Sequence, residues 1–185
     1  MSNWNKIFKP IVVLCAICVV ITGALAATNA ATAPVIKEAT EKAQNEARFE
    51  LLPEAGSPEN FEEVKGVAVD NVTAVYKATN DAGYVIISNA KGYGGTMTVM
   101  VSFAPKEKGE PGQIKQVKVT EAAETQGIGS KVSDSDEYWA TYAGLDGSAP
   151  LVLDQDVDRM TGATISSRAL NSAVNSAIAA YNAIP

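Results

Sequence analysis

The chain has 185 residues, the length of one ordinary domain, and its formal net charge of −6 makes it a poor binder of nucleic acids. It contains no histidine, and its two cysteines, Cys15 and Cys18, lie in an apolar N-terminal stretch. Haem, zinc and iron–sulfur sites in the rest of the chain would lack their usual ligands, which leaves an organic cofactor for any redox chemistry there.

Residues 1–33 predict a membrane anchor. From Ile11 to Ala27 the chain is apolar and uncharged, and the uncharged residues that follow extend the run to about 20 residues, enough to cross a bilayer. Lys6 and Lys9 precede the run, and no acidic residue occurs before Glu38. The positive-inside preference therefore predicts a single-pass protein of the cell membrane, with a cytoplasmic N-terminus and an extracytoplasmic main domain.

Two features of the anchor have a second interpretation. Ala24-Leu25-Ala26 is an acceptable small-residue cleavage site, so a cleaved signal peptide is the alternative to an uncleaved anchor. Cys15 and Cys18 have the spacing of a Cys-x-x-Cys motif. Two small apolar residues about one helical turn apart are the simpler interpretation, and a redox or metal role within the membrane is the alternative.

Residues 34–60 are predicted to link the anchor to the folded domain. From Pro34 onward, small apolar residues at helical spacing are interleaved with charged residues, which predicts a solvated helix that ends at Leu52-Pro53. Residues 54–60 are rich in glycine, serine and proline and predict a loop. The main extracytoplasmic domain is then expected over residues 61–185.

The chain from residue 64 to residue 120 changes to the alternating pattern of β-strands. Five β-rich runs occur, at residues 67–69, 72–78, 84–89, 96–103 and 114–120. Among the turn signals between them, Asn80 to Gly83 predicts a hairpin turn and Lys106 to Glu110 a solvated hairpin tip. With helices before and after an antiparallel sheet, the predicted fold class is α+β.

Two glycine-rich segments of this domain are suited to binding a ligand. Lys91-Gly92-Tyr93-Gly94-Gly95 contains three glycines, which let a backbone turn sharply or approach a ligand closely; a plain strand connection is the alternative. The segment from Glu124 to Lys131 contains Thr125, Gly127, Gly129 and Ser130. It can form a loop whose N–H groups face an anion or the edge of a flavin ring, or it can simply join a strand to a helix.

A third segment, from Asp158 to Thr164, precedes an amphipathic helix that is predicted to begin close to Thr164 and to reach Tyr181. The first turn of a helix offers unpaired N–H donors and the positive end of the helix dipole, which favour a phosphate. Gly162 and Ala163 are small and leave the approach to the Thr164 hydroxyl open. On physical grounds alone, the alternative is that Thr161 or Thr164 caps the helix and Gly162 only makes a turn.

The three segments together resemble a known family. Lys91-Gly-Tyr-Gly-Gly95 leading into residues 96–103, then Glu124-Thr-Gln-Gly-Ile-Gly129, then Asp158-x-x-Thr-Gly-Ala-Thr164, are similar to motifs of the G subunit of Rnf complexes, the ion-translocating ferredoxin:NAD⁺ oxidoreductases. The chain is less closely similar to the C subunit of the sodium-translocating NADH:quinone reductase. The single N-terminal anchor fits as well, and Gln126 stands where the family usually has a proline.

The resemblance implies FMN joined through a phosphoester to Thr164. A flavin transferase would move the FMN part of FAD onto this hydroxyl and would read the sequence from Asp158 to Ala163, which includes Thr161 and Gly162. Asp158 is a candidate to orient the threonine or to hold Mg²⁺ during attachment, and a helix-capping carboxylate is its alternative. The resemblance also places the following residues near the flavin: Lys91, Tyr93, Glu124, Thr125, Gly127, Gly129 and Lys131.

The aromatic residues add candidates for packing against a flavin ring. Tyr93, Tyr138, Trp139 and Tyr142 are available by sequence, although aromatic residues in a domain with few of them more often serve packing in the core or on the surface.

The function implied by the resemblance is electron transfer between the redox centres of a membrane complex, in which the protein sets the position and the potential of the flavin. The expected partners are the other membrane and peripheral subunits of an Rnf-type complex. The chain lacks nicotinamide-binding and cysteine-rich patterns, so ferredoxin and NAD⁺ are expected to bind other chains. Two alternatives are a stand-alone extracytoplasmic flavoprotein and a membrane-anchored scaffold without flavin.

Overall fold

A computed structural model describes residues 8–105 and 112–184. The hairpin tip predicted from Lys106 to Glu110 lies outside the described residues, as does Lys6. The chain divides into two compact units, Met1–Gln44 and Asn45–Pro185.

Helix α1 (Lys9–Leu51) contains nearly all described residues of the first unit, and its last residues belong to the second unit. By length and composition, its apolar part can cross a membrane. The apolar side chains from Ile11 to Leu25 are exposed, and so are the thiols of Cys15 and Cys18, as expected for a helix that lipid would surround. The helix ends at Leu51, which confirms the predicted end.

Pro34 lies inside α1, so the prediction that a new helix begins there is wrong. Proline removes one backbone hydrogen bond, which is why it usually marks a helix boundary. Alanine, the residue with the highest helix propensity, is frequent on both sides of Pro34 and keeps the neighbouring residues helical.

The second unit is built on a five-stranded antiparallel sheet in which every strand pairs with its neighbours in the chain, in the order β1-β2-β3-β4-β5. The strands are β1 (Phe61–Glu63), β2 (Val72–Ala78), β3 (Tyr84–Lys91), β4 (Thr96–Phe103) and β5 (Ile114–Ala122). A 3₁₀ turn (Pro53–Ala55) precedes them, and α2 (Ser130–Ser133), α3 (Asp136–Ala140) and α4 (Thr164–Ala183) follow. The predicted α+β class is confirmed, and so is the helix that begins at Thr164.

Four of the five predicted strands are confirmed, and the run from Val67 to Val69 is not a strand. Gly66 at φ +92° and Asn71 at φ +65° turn the backbone on either side of this run, which leaves it too short to form a ladder. The short strand β1 takes the edge of the sheet beside β2 instead. The predicted hairpin turn after β2 is confirmed, with Asp81 at φ +58° and its N–H donating to the Ala78 carbonyl at 3.0 Å.

The sheet separates two apolar clusters because successive side chains of a strand point to opposite faces. In β3, Val85 and Ile87 pack in the cluster that contains Leu51 and Leu52. Ile86 lies on the opposite face, in the larger cluster that includes the apolar side of α4. Because β3 is buried on both faces of the sheet, its residues 85–87 are all apolar.

Helix α4 lies antiparallel to β3. Near the end of α4, the Tyr181 ring meets the Tyr84 ring at the start of β3, with centroids 5.7 Å apart. In the middle, the Ser88 hydroxyl donates to the Ala173 carbonyl at 2.8 Å. Lys91, at the end of β3, lines a cavity together with Ile165 from the first turn of α4. Thr164 therefore lies at the same end of the sheet as the turn between β3 and β4.

Candidate functional site

The fold brings the three predicted segments to one end of the sheet. The Lys91–Gly95 segment forms the end of β3 and the turn into β4, and Thr164 lies at this end because of the direction of α4. Ala122, the last residue of β5, pairs with Met97 near the start of β4. Glu124 follows two residues later, so it lies at the same edge as the other two segments.

Glu124 joins two of these segments. Its Oε1 accepts a hydrogen bond from the Tyr93 N–H at 3.0 Å, and its Oε2 accepts one from the Gly94 N–H at 3.4 Å. A Cβ on Gly92 would lie 1.9 Å from Oε1, and one on Gly129 would lie 2.1 Å from Oε2. The carboxylate thus fills the space between the β3–β4 turn and the loop that leads into α2, and a side chain at Gly92 or Gly129 would displace it.

In the loop from Thr125 to Ser130, three backbone N–H groups donate hydrogen bonds to acceptors within the loop. The Gly127 N–H donates to the Ser130 hydroxyl at 2.8 Å, and the Ile128 and Ser130 N–H groups donate to the Thr125 carbonyl at 3.2 and 3.3 Å. The prediction that the N–H groups of this loop face an anion is therefore wrong for these three donors. The side chains of Thr125 and Lys131 are exposed beside the loop.

The start of α4 is held by a turn from Met160 to Ala163. The Ala163 N–H donates to the Met160 carbonyl at 3.0 Å, and Gly162 at φ +83° occupies the left-handed position that a type II turn requires. The Ser167 hydroxyl accepts from the Met160 N–H at 3.0 Å and donates to the Ala163 carbonyl at 3.1 Å. These bonds fix the chain that precedes Thr164 against the first turn of the helix.

The N-cap residue of α4 is Ala163, and among the described residues no side-chain hydrogen bond caps the helix. Capping by Thr161 or Thr164 is therefore wrong, whereas the role of Asp158 stays a prediction. Since capping would use N–H groups of the first turn, its absence leaves them able to bind an anion.

The chain just before Thr164 is open to solvent at Gly162. Gly162 is exposed, and no heavy atom of the described residues lies within 4 Å of the position that an added Cβ would take. The Ala163 methyl group points into the core and is 2 % exposed. Thr164 itself is half-buried, whereas Thr161 is exposed. Asp158 is also exposed, and its carboxylate makes no hydrogen bond within the described part of the chain.

Three of the four aromatic candidates are core residues. Tyr138, Trp139 and Tyr142 are buried, and the Trp139 indole N–H donates to the Val132 carbonyl at 2.7 Å. Burial also raises the pKa of Tyr142, with Tyr138 adding to the effect. Tyr93 is different, since 66 % of its surface is exposed, and it is the one of the four that is accessible to a ligand.

Sequence reasoning missed Arg168, which lines the same cavity as Lys91 and Ile165. It is the only charged residue of α4 and stands four residues after Thr164. Residues four apart lie on one face of a helix, so this spacing was the available signal.

Replacing Glu124 by alanine is expected to free the β3–β4 turn. The loss of two hydrogen bonds to a half-exposed carboxylate should destabilise the domain by about 1 kcal/mol and speed hydrogen exchange at the Tyr93 and Gly94 amides. Residue-resolved hydrogen exchange measures this directly. Glu121→Ala, an exposed acidic change three residues earlier on β5, is the control. Equal exchange at these two amides in both variants would contradict the role of Glu124.

Comparison with known proteins identifies the family. Residues 92–179 match the FMN-binding domain, and residues 1–51 match the RnfG N-terminal region. The G subunit of the ion-translocating oxidoreductase complex of Methanosarcina acetivorans is 30 % identical in an alignment 188 positions long, which covers 96 % of each chain. The chain belongs to the family of G subunits of ion-translocating oxidoreductase complexes.

Other members of this family are similarly related. The G subunit of the Na⁺-translocating ferredoxin:NAD⁺ oxidoreductase complex of Acetobacterium woodii is 28 % identical, over 97 % of this chain and 93 % of its own. The G subunit of the proton-translocating ferredoxin:NAD⁺ oxidoreductase complex of Clostridium ljungdahlii is 27 % identical, over 96 % and 92 %. The crystal structure of NqrC from Shewanella oneidensis is 23 % identical, with a TM-score of 0.47 over 69 % of this chain and 70 % of that one.

Membership in the G-subunit family confirms the resemblance drawn from the three motifs. The chain is a subunit of an ion-translocating oxidoreductase complex and contains an FMN-binding domain. That domain spans the β3–β4 turn, Glu124 and the start of α4. The apolar part of α1 fits a membrane anchor in such a subunit.

Proposed function

We propose that this G subunit carries FMN through a phosphoester on Thr164 and relays electrons between neighbouring redox centres of its complex. The observation that supports this most strongly is the start of α4, where Thr164 is the first helical residue and no side chain in the described part of the chain caps the helix. A phosphate at this position is favoured by the free N–H groups of the first turn and by the helix dipole.

The residues around Thr164 fit the attachment. Transfer from FAD would form a bond between the Thr164 oxygen and the phosphorus of the FMN part, and would break the bond that joins this phosphate to the AMP part. The hydroxyl proton and AMP would be released. Gly162 leaves space for a modifying enzyme, and Ser167 holds the turn in front of the acceptor hydroxyl. Thr164 then acts as a tether, since the bound flavin supplies the electron chemistry.

The wider site is proposed from the motifs that meet at this end of the sheet. The transferase would read Asp158, Thr161, Gly162 and Ala163 before the acceptor threonine. The surroundings of the flavin would be shaped by Lys91, Tyr93, Glu124, Thr125, Gly127, Gly129 and Lys131. Ferredoxin and NAD⁺ would bind other subunits of the complex.

We also propose that the N-terminus is cytoplasmic and that the FMN-binding domain lies outside the cytoplasm. The positive charges before the apolar run support this orientation. In that compartment a dissociated flavin would diffuse away, and a chain of net charge −6 would retain a phosphate weakly by charge alone. A covalent bond overcomes both problems.

Site mapping tests the proposal. Full-length protein co-produced with a flavin transferase should remain fluorescent after complete denaturation, and peptide mass spectrometry should locate FMN on Thr164. Protein produced without the transferase is the control and should carry none. Covalent flavin in a protein that purifies in mild detergent without other chains would favour a stand-alone flavoprotein. The absence of flavin in both preparations would favour a scaffold.

A further inference from the structure

A cavity of about 440 Å³ lies beside the first two turns of α4. Lys91 from the end of β3 and Ile165 and Arg168 from α4 contribute to its walls, and Asn71 lies at its other side. Asn71 and Arg168 also line a larger cavity of about 760 Å³ that extends further along α4. The two cavities share wall residues and are therefore adjacent.

Two cationic side chains without ion-pair partners face this cavity. Neither Lys91 nor Arg168 forms a salt bridge within the described residues, although both are exposed. Several other cations of the folded domain are paired with carboxylates, namely Lys77, Lys115, Lys118 and Arg159. In the larger cavity, Arg159 pairs with Asp154, and Asp70 and Arg168 are the other charged residues. Two neighbouring unpaired cations in an acidic chain repel each other, which favours a negatively charged ligand.

The cavity is within reach of a group attached to Thr164. Arg168 stands one turn after Thr164 on the same face of α4, a separation of about 6 Å between Cβ atoms. Ile165, the residue next to Thr164, is 50 % exposed and offers an apolar wall. This inference rests on the attachment of FMN to Thr164 proposed above.

We propose that this cavity receives the isoalloxazine ring, and that Lys91 and Arg168 together set its reduction potential. Each electron that the ring accepts adds one negative charge, unless a proton is taken up with it. A nearby cation stabilises the more negative form, so two cations raise the midpoint potential. Arg168 and the cavity would thus act on the reduction potential, whereas the attachment motif acts in binding FMN.

The test is redox titration of the full-length, covalently loaded protein and of its Lys91→Gln and Arg168→Gln variants, with the intact mass recorded for each sample. Both variants should titrate at a lower midpoint potential than the wild type, and Arg168→Lys, which keeps the charge, should stay close to the wild type. The control is Lys115→Gln, because Lys115 pairs with Glu54 at 2.7 Å and lies away from this cavity. Its potential should equal that of the wild type.

The possible outcomes separate the two proposals. Wild-type protein without the added FMN mass would overturn the proposed attachment. FMN present in all variants with unchanged potentials would leave the attachment standing and overturn the role of the cavity. Loss of FMN from the glutamine variants would assign the two cations to attachment rather than to potential, and would also overturn this inference.

Discussion

Thr164→Val is expected to abolish covalent flavin while leaving the domain folded. Valine has nearly the shape of threonine but lacks the hydroxyl that would bond to phosphorus. Ala163, rather than Thr164, is the N-cap residue of α4, so the substitution removes no capping bond. We expect it to change the free energy of unfolding by about 0.5 kcal/mol or less. Fluorescence of the denatured protein, intact mass and circular dichroism measure flavin and fold separately.

Thr161→Val is the matched control for this experiment. Thr161 is an exposed threonine three residues earlier, and its replacement leaves the Thr164 hydroxyl in place. Its flavin content reports how strongly the transferase depends on the preceding motif, and any attached FMN should still map to Thr164. Full FMN mass in Thr164→Val would instead place the attachment elsewhere, with Thr161 as the first candidate.

Tyr181→Ala is expected to cause the largest loss of stability. The ring is 1 % exposed, stacks on Phe103 with centroids 4.6 Å apart, and meets Tyr84 edge-on. Removal of a buried aromatic ring typically costs about 3–5 kcal/mol, because the space that it leaves is only partly refilled. Chemical unfolding of the full-length protein in detergent measures the change. The flavin content should also fall, since α4 carries Thr164 and docks on β3 through this ring.

Tyr181→Phe separates the ring from its hydroxyl. The hydroxyl donates to the Ala104 carbonyl at 3.1 Å, and its loss should cost about 1 kcal/mol. Flavin attachment should be unchanged in this variant. If Tyr181→Ala were no less stable than Tyr181→Phe, the ring contacts with Phe103 and Tyr84 would not be what holds the end of α4.

The sequence pattern predicted the four longer strands, β2 to β5, and missed the short strand β1. Strands β2 to β5 have seven to nine residues each and contain several apolar or β-branched residues. In contrast, β1 has three residues, two of them acidic, and is a strand only because the edge of β2 offers it partners. Pairing partners are a property of the folded chain, so local patterning cannot predict such a strand.

The motifs predicted which segments form the candidate site but not how they touch. Glu124 contacts the N–H of Tyr93 across 31 residues of sequence, a pairing that requires the register between β4 and β5. The cap of α4 was mispredicted because threonine is usually the better capping residue, whereas here the turn through Gly162 places Ala163 at that position. Arg168 was predictable from its spacing to Thr164, which the motif comparison alone did not consider.

The order of the elements also has a consequence for biogenesis. The strands pair only with their neighbours, so the sheet can form from local hairpins while the chain is still being made. Thr164, the proposed acceptor, begins helix α4, which packs on a strand some eighty residues earlier in the chain. That helix is synthesised after the sheet and finds its docking surface already formed. Attachment of FMN at Thr164, as proposed, is thus expected to follow the docking of α4 on the sheet.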